Sequence, residues 1–178
     1  TQGIVFPICS GLSRESIATG GFVIGAIRAH IDRHAVAGGG KPMCNLYNLT
    51  TNQQAIRDIA GAMSDSVGNL EPSLDIYPDR PAPVLRNTGS GRELARLTWG
   101  MPTPTQFLKA PDAPDSGVTN IRNTASPHWR RWLGVAHRCV VPATAFSEYG
   151  QRPDPVTRRK PLHWFALDQT RPLFFFAG

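Results

Sequence analysis

The sequence predicts a single α+β domain: a mainly antiparallel, barrel-like sheet with short helices. Three observations carry that reading. Sixteen Pro and 17 Gly among 178 residues punctuate the chain too often for long helices. Only two stretches have helical spacing and capping, whereas several short apolar runs have strand character and are bounded by turn residues. Hydrophobic residues at 40% suffice for a core, and charged residues at 18% are too few for a disordered chain.

Residues 1–42 show no clean period and end in "GGGKP", a flexible break. Their most apolar run, "IATGGFVIGAIRAH", is short and interrupted by Gly20, Gly21 and Gly25, which argues against a transmembrane span or a secretion signal. In "TTNQQAIRDIAGAM", Thr50 or Thr51 is the expected N-cap, with Gln53 or Gln54 completing a capping box. Ala55, Ile56, Ile59, Ala60 and Met63 then follow helical spacing. The Pro-rich "EPSLDIYPDRPAPVLRN" leaves room for a short strand near Val84–Leu85, and "ELARLTWGMP" reads as a strand stopped by Gly100 and Pro102. "SPHWRRWLG" is a compact helix with Ser126 as N-cap, Pro127 at the first position and Gly134 as the stop. "HRCVVPATAFSEYG" reads as two strands around a turn near residues 142–144. "LHWFALD" and "PLFFFAG" flank "QTR" as a hairpin, and the second run, with no closing turn, reads as a fragment end.

The net charge is +6. Between Asn120 and Lys160 eight basic residues face only Glu148 and Asp154. Such a segment suits an anionic partner, nucleic acid first, or else is a solvated face. Cys9, Cys44 and Cys139 make an odd count without CxxC spacing, so neither a disulfide framework nor a zinc site is expected, and a reducing compartment is. The five His show no metal-ligand spacing.

Five residues invite chemistry. Internal Cys44 is an ordinary small thiol. If translation starts at Met43 and that Met is removed, Cys44 becomes a 1,2-aminothiol, whose amine condenses with an aldehyde before the thiol closes the ring. In "TNIRNTASP", Asn120 and Arg122 share a face if extended, an amide beside a phosphate-matched fork; a polar loop is the competing reading. Glu148, in the apolar "AFSEY", is either a proton shuttle or a solvated strand-end carboxylate. Trp99 is core by default, with a stacking face for a base as its alternative, while Cys139 in "RCVVP" reads as buried and inert.

"MCNLYNLT", "LTWGMP", "TNIRNTAS" and "RCVVPATAFSEY", in that order, resemble the SOS response-associated peptidase (SRAP) family over residues 43–178. The resemblance makes residues 1–42 a non-family extension and residues 43–178 a partial SRAP domain. It implies that an N-terminal Cys, here Cys44, links covalently to abasic sites in single-stranded DNA. It also implies that Asn120 holds the amine or the opened sugar, and that Glu148 moves protons. On the same resemblance Arg122 binds phosphate, Trp99 lies near the DNA channel and Pro81 wedges the strand at the lesion. Arg130 and Arg158 are added as DNA-binding candidates from the basic segment. The family's catalytic His belongs to a motif beyond residue 178, which neither His137 nor His163 matches. The expected partner is abasic single-stranded DNA, engaged by a cytoplasmic monomer that associates with the nucleoid when DNA-bound and uses no cofactor, metal or membrane. A thiol or N-terminal-nucleophile peptidase and a non-covalent single-strand-binding module are the other readings.

Overall fold

Thr144 is where the chain leaves one sheet and enters another. The computed structural model describes residues 3–4, 46–108, 110, 114–115, 117–121, 123–150 and 152–178. Cys9, the "GGGKP" break, Cys44 and Arg122 lie outside the described residues. The elements in chain order are β1 (Gly3–Ile4), β2 (Leu46–Leu49), α1 (Gln53–Ala60), β3 (Ser64–Asp65), β4 (Ser73–Ile76), β5 (Pro81–Thr88) and β6 (Gly91–Trp99). They are followed by β7 (Cys139–Ala143), β8 (Ala145–Tyr149), β9 (Leu162–Phe165) and β10 (Phe174–Ala177). One sheet runs β1-β6-β5-β7-β10, with β3 also on β6; the second runs β4-β2-β8-β9. Both paths are open, so the expected barrel-like closure is replaced by two packed layers sharing one core. Most pairings are antiparallel, and β1 and β3 add to β6 in parallel.

The layers meet at aromatic rings. Tyr47, Phe146 and Phe165 stand in register across the second sheet. Tyr47 packs edge-on against Trp99 of the first sheet, with centroids 5.5 Å apart, and Phe146 meets Phe176 at 5.4 Å. Alternate residues of a strand share a face, so this row fixes which side of β8 points inward. Trp99, Val84 and Ala82 face the same seam with no exposed surface.

Several local expectations are corrected. The N-cap of α1 is Asn52, whose Oδ1 accepts from the Ala55 N–H at 2.8 Å, rather than Thr50 or Thr51. Thr50 is engaged elsewhere: its N–H donates to Thr144 Oγ1 at 3.2 Å. Gln53 turns away to donate to Asp65 and to accept from the Leu70 N–H, so no capping box forms. The helix stops at Gly61, whose φ of 59° is the left-handed cap that glycine tolerates; Ile56 and Ala60 are buried while Ile59 and Met63 remain exposed.

"SPHWRRWLG" winds as a 3₁₀ helix over Pro127–Trp132, and Ser126 makes no side-chain cap bond. Residues three apart eclipse in this helix, which brings Trp129 and Trp132 together with centroids 6.0 Å apart. The expected β9–β10 hairpin is absent: β9 pairs with β8 and β10 with β7, in different sheets. The reason is the seam, since Phe174 and Phe176 reach the inter-sheet rings only from β7's side. The short strand expected at Val84–Leu85 extends over Pro81–Thr88, because β6 offers an unbroken partner from Gly91 to Thr98.

Candidate functional site

Glu148 lies on β8, half-buried, directly opposite His163 of β9. It shares a face with Phe146, two residues before it, and therefore sits at the end of the inter-sheet seam. On the other side of β8, Ser147 pairs with Leu46, the first residue of β2, and Ser147 Oγ donates to the Leu46 carbonyl at 3.2 Å. The ladder thus brings Glu148 level with the point where the chain enters β2. Two residues upstream of that point in the sequence is Cys44.

Asn120 follows a segment held against the exit of β6. Val118 and Met101 exchange both backbone hydrogen bonds, at 2.7 and 2.9 Å. Asp115 ties the same segment to Thr103: its carboxylate accepts from the Thr103 N–H at 2.8 Å, the Thr103 hydroxyl at 2.5 Å and the Gly117 N–H at 2.9 Å. These bonds, the Thr103 hydroxyl first, hold the Asp115 carboxyl below the usual carboxylate range. Two glycines permit the close approach. Gly100 has φ of 138° and Gly117 of 75°, and a Cβ on Gly117 would lie 3.3 Å from the Gly100 Cα. Asn120 itself is half-buried, and its amide donates to Thr119 Oγ1 at 3.3 Å.

The same exit anchors the basic 3₁₀ helix. A ring nitrogen of His128 lies 3.1 Å from the Pro102 carbonyl oxygen, and the His128 ring meets buried Trp129 edge-on. Arg130 projects into solvent, and the Arg131 guanidinium stacks 3.8 Å over Trp132. Arg158 is exposed on a tight loop with φ of 58°, its N–H donating to the Asp154 carbonyl at 2.9 Å. The Asp154 side chain caps Val156 and Thr157, which closes the loop and presents Arg158, Arg159 and Lys160 together.

Trp99 is a core residue, as its default reading has it: with no exposed surface its ring offers no face to a base. The "WGMP" stretch organises its surroundings instead, through Met101, Pro102 and Thr103. Pro81 is exposed at the start of β5, opposite Thr98, and borders a cleft of about 370 Å³ with Arg80, Pro83 and Arg96. The cleft is lined also by Leu49, Leu70 and Ile76. Asp115, Thr103 and His128 escape sequence reading, since each acts through backbone groups distant in the chain. Among the described residues no three His, Cys, Asp or Glu side chains converge as a metal site, and no helix is long and apolar enough to cross a membrane.

Comparison with known proteins places these elements in a family. Residues 43–178 match the profile described as SOS response associated peptidase (SRAP). The chain is similar to the abasic site processing protein YoqW of Bacillus subtilis strain 168, 30% identical over 113 residues, covering 62% of this chain and 47% of that protein. It is similar also to the abasic site processing protein YobE of the same organism, 31% identical over 118 residues, with 62% and 48% covered. YoaM, likewise an abasic site processing protein of that strain, is 31% identical over 118 residues. The chain spans about half the length of the curated relatives it matches. The matched segment contains every described element from β2 to β10, and the chain belongs to the SRAP family.

Proposed function

We propose that the protein senses abasic sites in single-stranded DNA and captures them covalently through Cys44. The observation that carries this reading is the start of the family match at Met43, one residue before Cys44, in a chain similar to proteins named for abasic site processing. Removal of Met43 gives Cys44 a free α-amine. That amine attacks the aldehyde of the ring-opened abasic sugar and water leaves, forming an imine. The thiol sulfur then adds to the imine carbon and its proton passes to the nitrogen, closing a five-membered thiazolidine. The α-amine has a reference pKa of about 8, so a useful fraction is unprotonated at neutral pH.

Glu148 supplies and removes the protons of these steps, a role supported by its position beside the entry to β2. Asn120 orients the amine or the opened sugar, and Arg122 takes the neighbouring phosphate. Arg130 and Arg158 contact the strand's backbone. Pro81, exposed at the start of β5, wedges the strand at the lesion.

The test uses the full-length protein expressed from Met43 and mixed with a uracil-excised single-stranded oligonucleotide. A denaturing gel is expected to show a covalent band that Cys44→Ser abolishes. Glu148→Gln is expected to slow its formation by about 100-fold or more. A band that survives Cys44→Ser overturns the mechanism. Peptide turnover independent of abasic DNA would favour a thiol peptidase, and salt-sensitive binding indifferent to the lesion would favour a simple single-strand-binding module.

A further inference from the structure

We infer that Asp115 is a positioning residue for the covalent step, acting through Asn120. The inference rests on the abasic-site reading above. Among the described residues, the Asn120 segment lies outside both sheet ladders and is tied to the exit of β6 by two sets of bonds. One pair is the Met101–Val118 exchange, at 2.9 and 2.7 Å. A second attachment is the Asp115 carboxylate, which collects three donors from two directions: the Thr103 N–H and hydroxyl on the strand exit, and the Gly117 N–H on the segment itself. One carboxylate therefore bridges Thr103, four residues past the end of β6, to Gly117, and Asn120 follows three residues after Gly117. A neutral amide is a poorer acceptor here: it keeps one acceptor oxygen and brings an NH₂ that the Thr103 N–H cannot meet.

The strand exit cannot yield to accommodate a slack segment. Trp99 is fixed in the seam, Gly100 occupies a backbone region closed to other residues, and the Pro102 carbonyl is engaged with His128. Loosening at Asp115 is thus passed to Asn120 and not shared with β6. Misplacement of an orienting group by about 1 Å is enough to cost up to roughly 100-fold in rate.

The test is a rate measurement with a double-mutant cycle on the full-length protein expressed from Met43. Asp115→Ala is expected to slow crosslinking to saturating uracil-excised single-stranded DNA by about 10-fold or more, with its affinity for intact single-stranded DNA unchanged within about twofold. Asp115→Ala combined with Asn120→Ala is expected to react no more slowly than Asn120→Ala alone. Thr103→Val, which removes only the hydroxyl bond, should give an intermediate rate, and it carries the same cycle if Asp115→Ala does not fold. A wild-type rate in Asp115→Ala overturns the inference. So does a loss that multiplies with that of Asn120→Ala, because Asp115 would then act by another route. Absence of any crosslink in the unmutated protein overturns the abasic-site reading itself, and this inference with it.

Discussion

Cys139 in β7 lies opposite Arg86 of β5, and burial pushes its thiol up to about 12 while the Arg86 guanidinium pulls the other way. At neutral pH almost none of it is thiolate, the form that reacts. An exposed N-terminal Cys44 would differ in kind, since its amine alone begins the chemistry. Cys139→Ser is therefore expected to leave crosslinking within about twofold of the unmutated rate, whereas Cys44→Ser removes it. In iodoacetamide labelling read by mass spectrometry, native Cys139 should be spared at pH 7.5 and modified in denaturant. Labelling of native Cys139 at the rate of an unfolded peptide would refute its assignment as inert. The neighbours of Cys139 in the sequence suggest its burial. Its elevated pKa depends on the packing of β5 and β10 on either side of β7.

At the scale of elements, the β7–β8 corner decides how the site is assembled. Thr144 is fully buried between strands that belong to different sheets. Its N–H donates to the Asn48 carbonyl at 2.8 Å, and its hydroxyl lies 3.3 Å from that carbonyl oxygen and 3.1 Å from the Thr50 hydroxyl. This node locks the end of β2 to the start of β8, and so sets the register that brings Glu148 level with the entry to β2. Thr144→Val keeps the shape but strands the partners of the hydroxyl, at a cost of about 1–3 kcal/mol. Thermal unfolding should report a fall of several degrees, with Thr144→Ser recovering most of it; an unchanged midpoint for Thr144→Val would argue against the node. The sequence marks a turn here and both flanking strands. It does not reveal that they part company, because a corner between sheets and a tight hairpin use the same residues.

Across the whole molecule, charge is arranged by tertiary structure. Arg130, Arg131 and Arg138 project from the 3₁₀ segments, and Arg152, Arg158, Arg159 and Lys160 from the Asp154-capped loop, all exposed. Each phosphate neutralised on a single strand is expected to contribute about −0.7 to the slope of log affinity against log salt concentration. Arg130→Ala and Arg158→Ala should each flatten that slope by about 0.7 in a fluorescence-anisotropy titration with single-stranded DNA. A slope unchanged by both would remove these residues from the proposed DNA path.

The sequence by itself determined the fold class, the strands around "LTWGMP" and "FSEY", a helical turn at "HWRRW" though not its 3₁₀ winding, and, through four ordered motifs, the family. These are local matters: turn residues, alternation and short fixed spacings are written consecutively along the chain. Tertiary structure alone decided that β9 and β10 join different sheets, that the Trp99 ring keeps no exposed face, and that the Asp115 carboxylate bridges Thr103 and Gly117. Each of those outcomes depends on which distant backbone groups meet, and hydrogen bonds between residues 12 to 96 positions apart leave no periodic trace in the sequence.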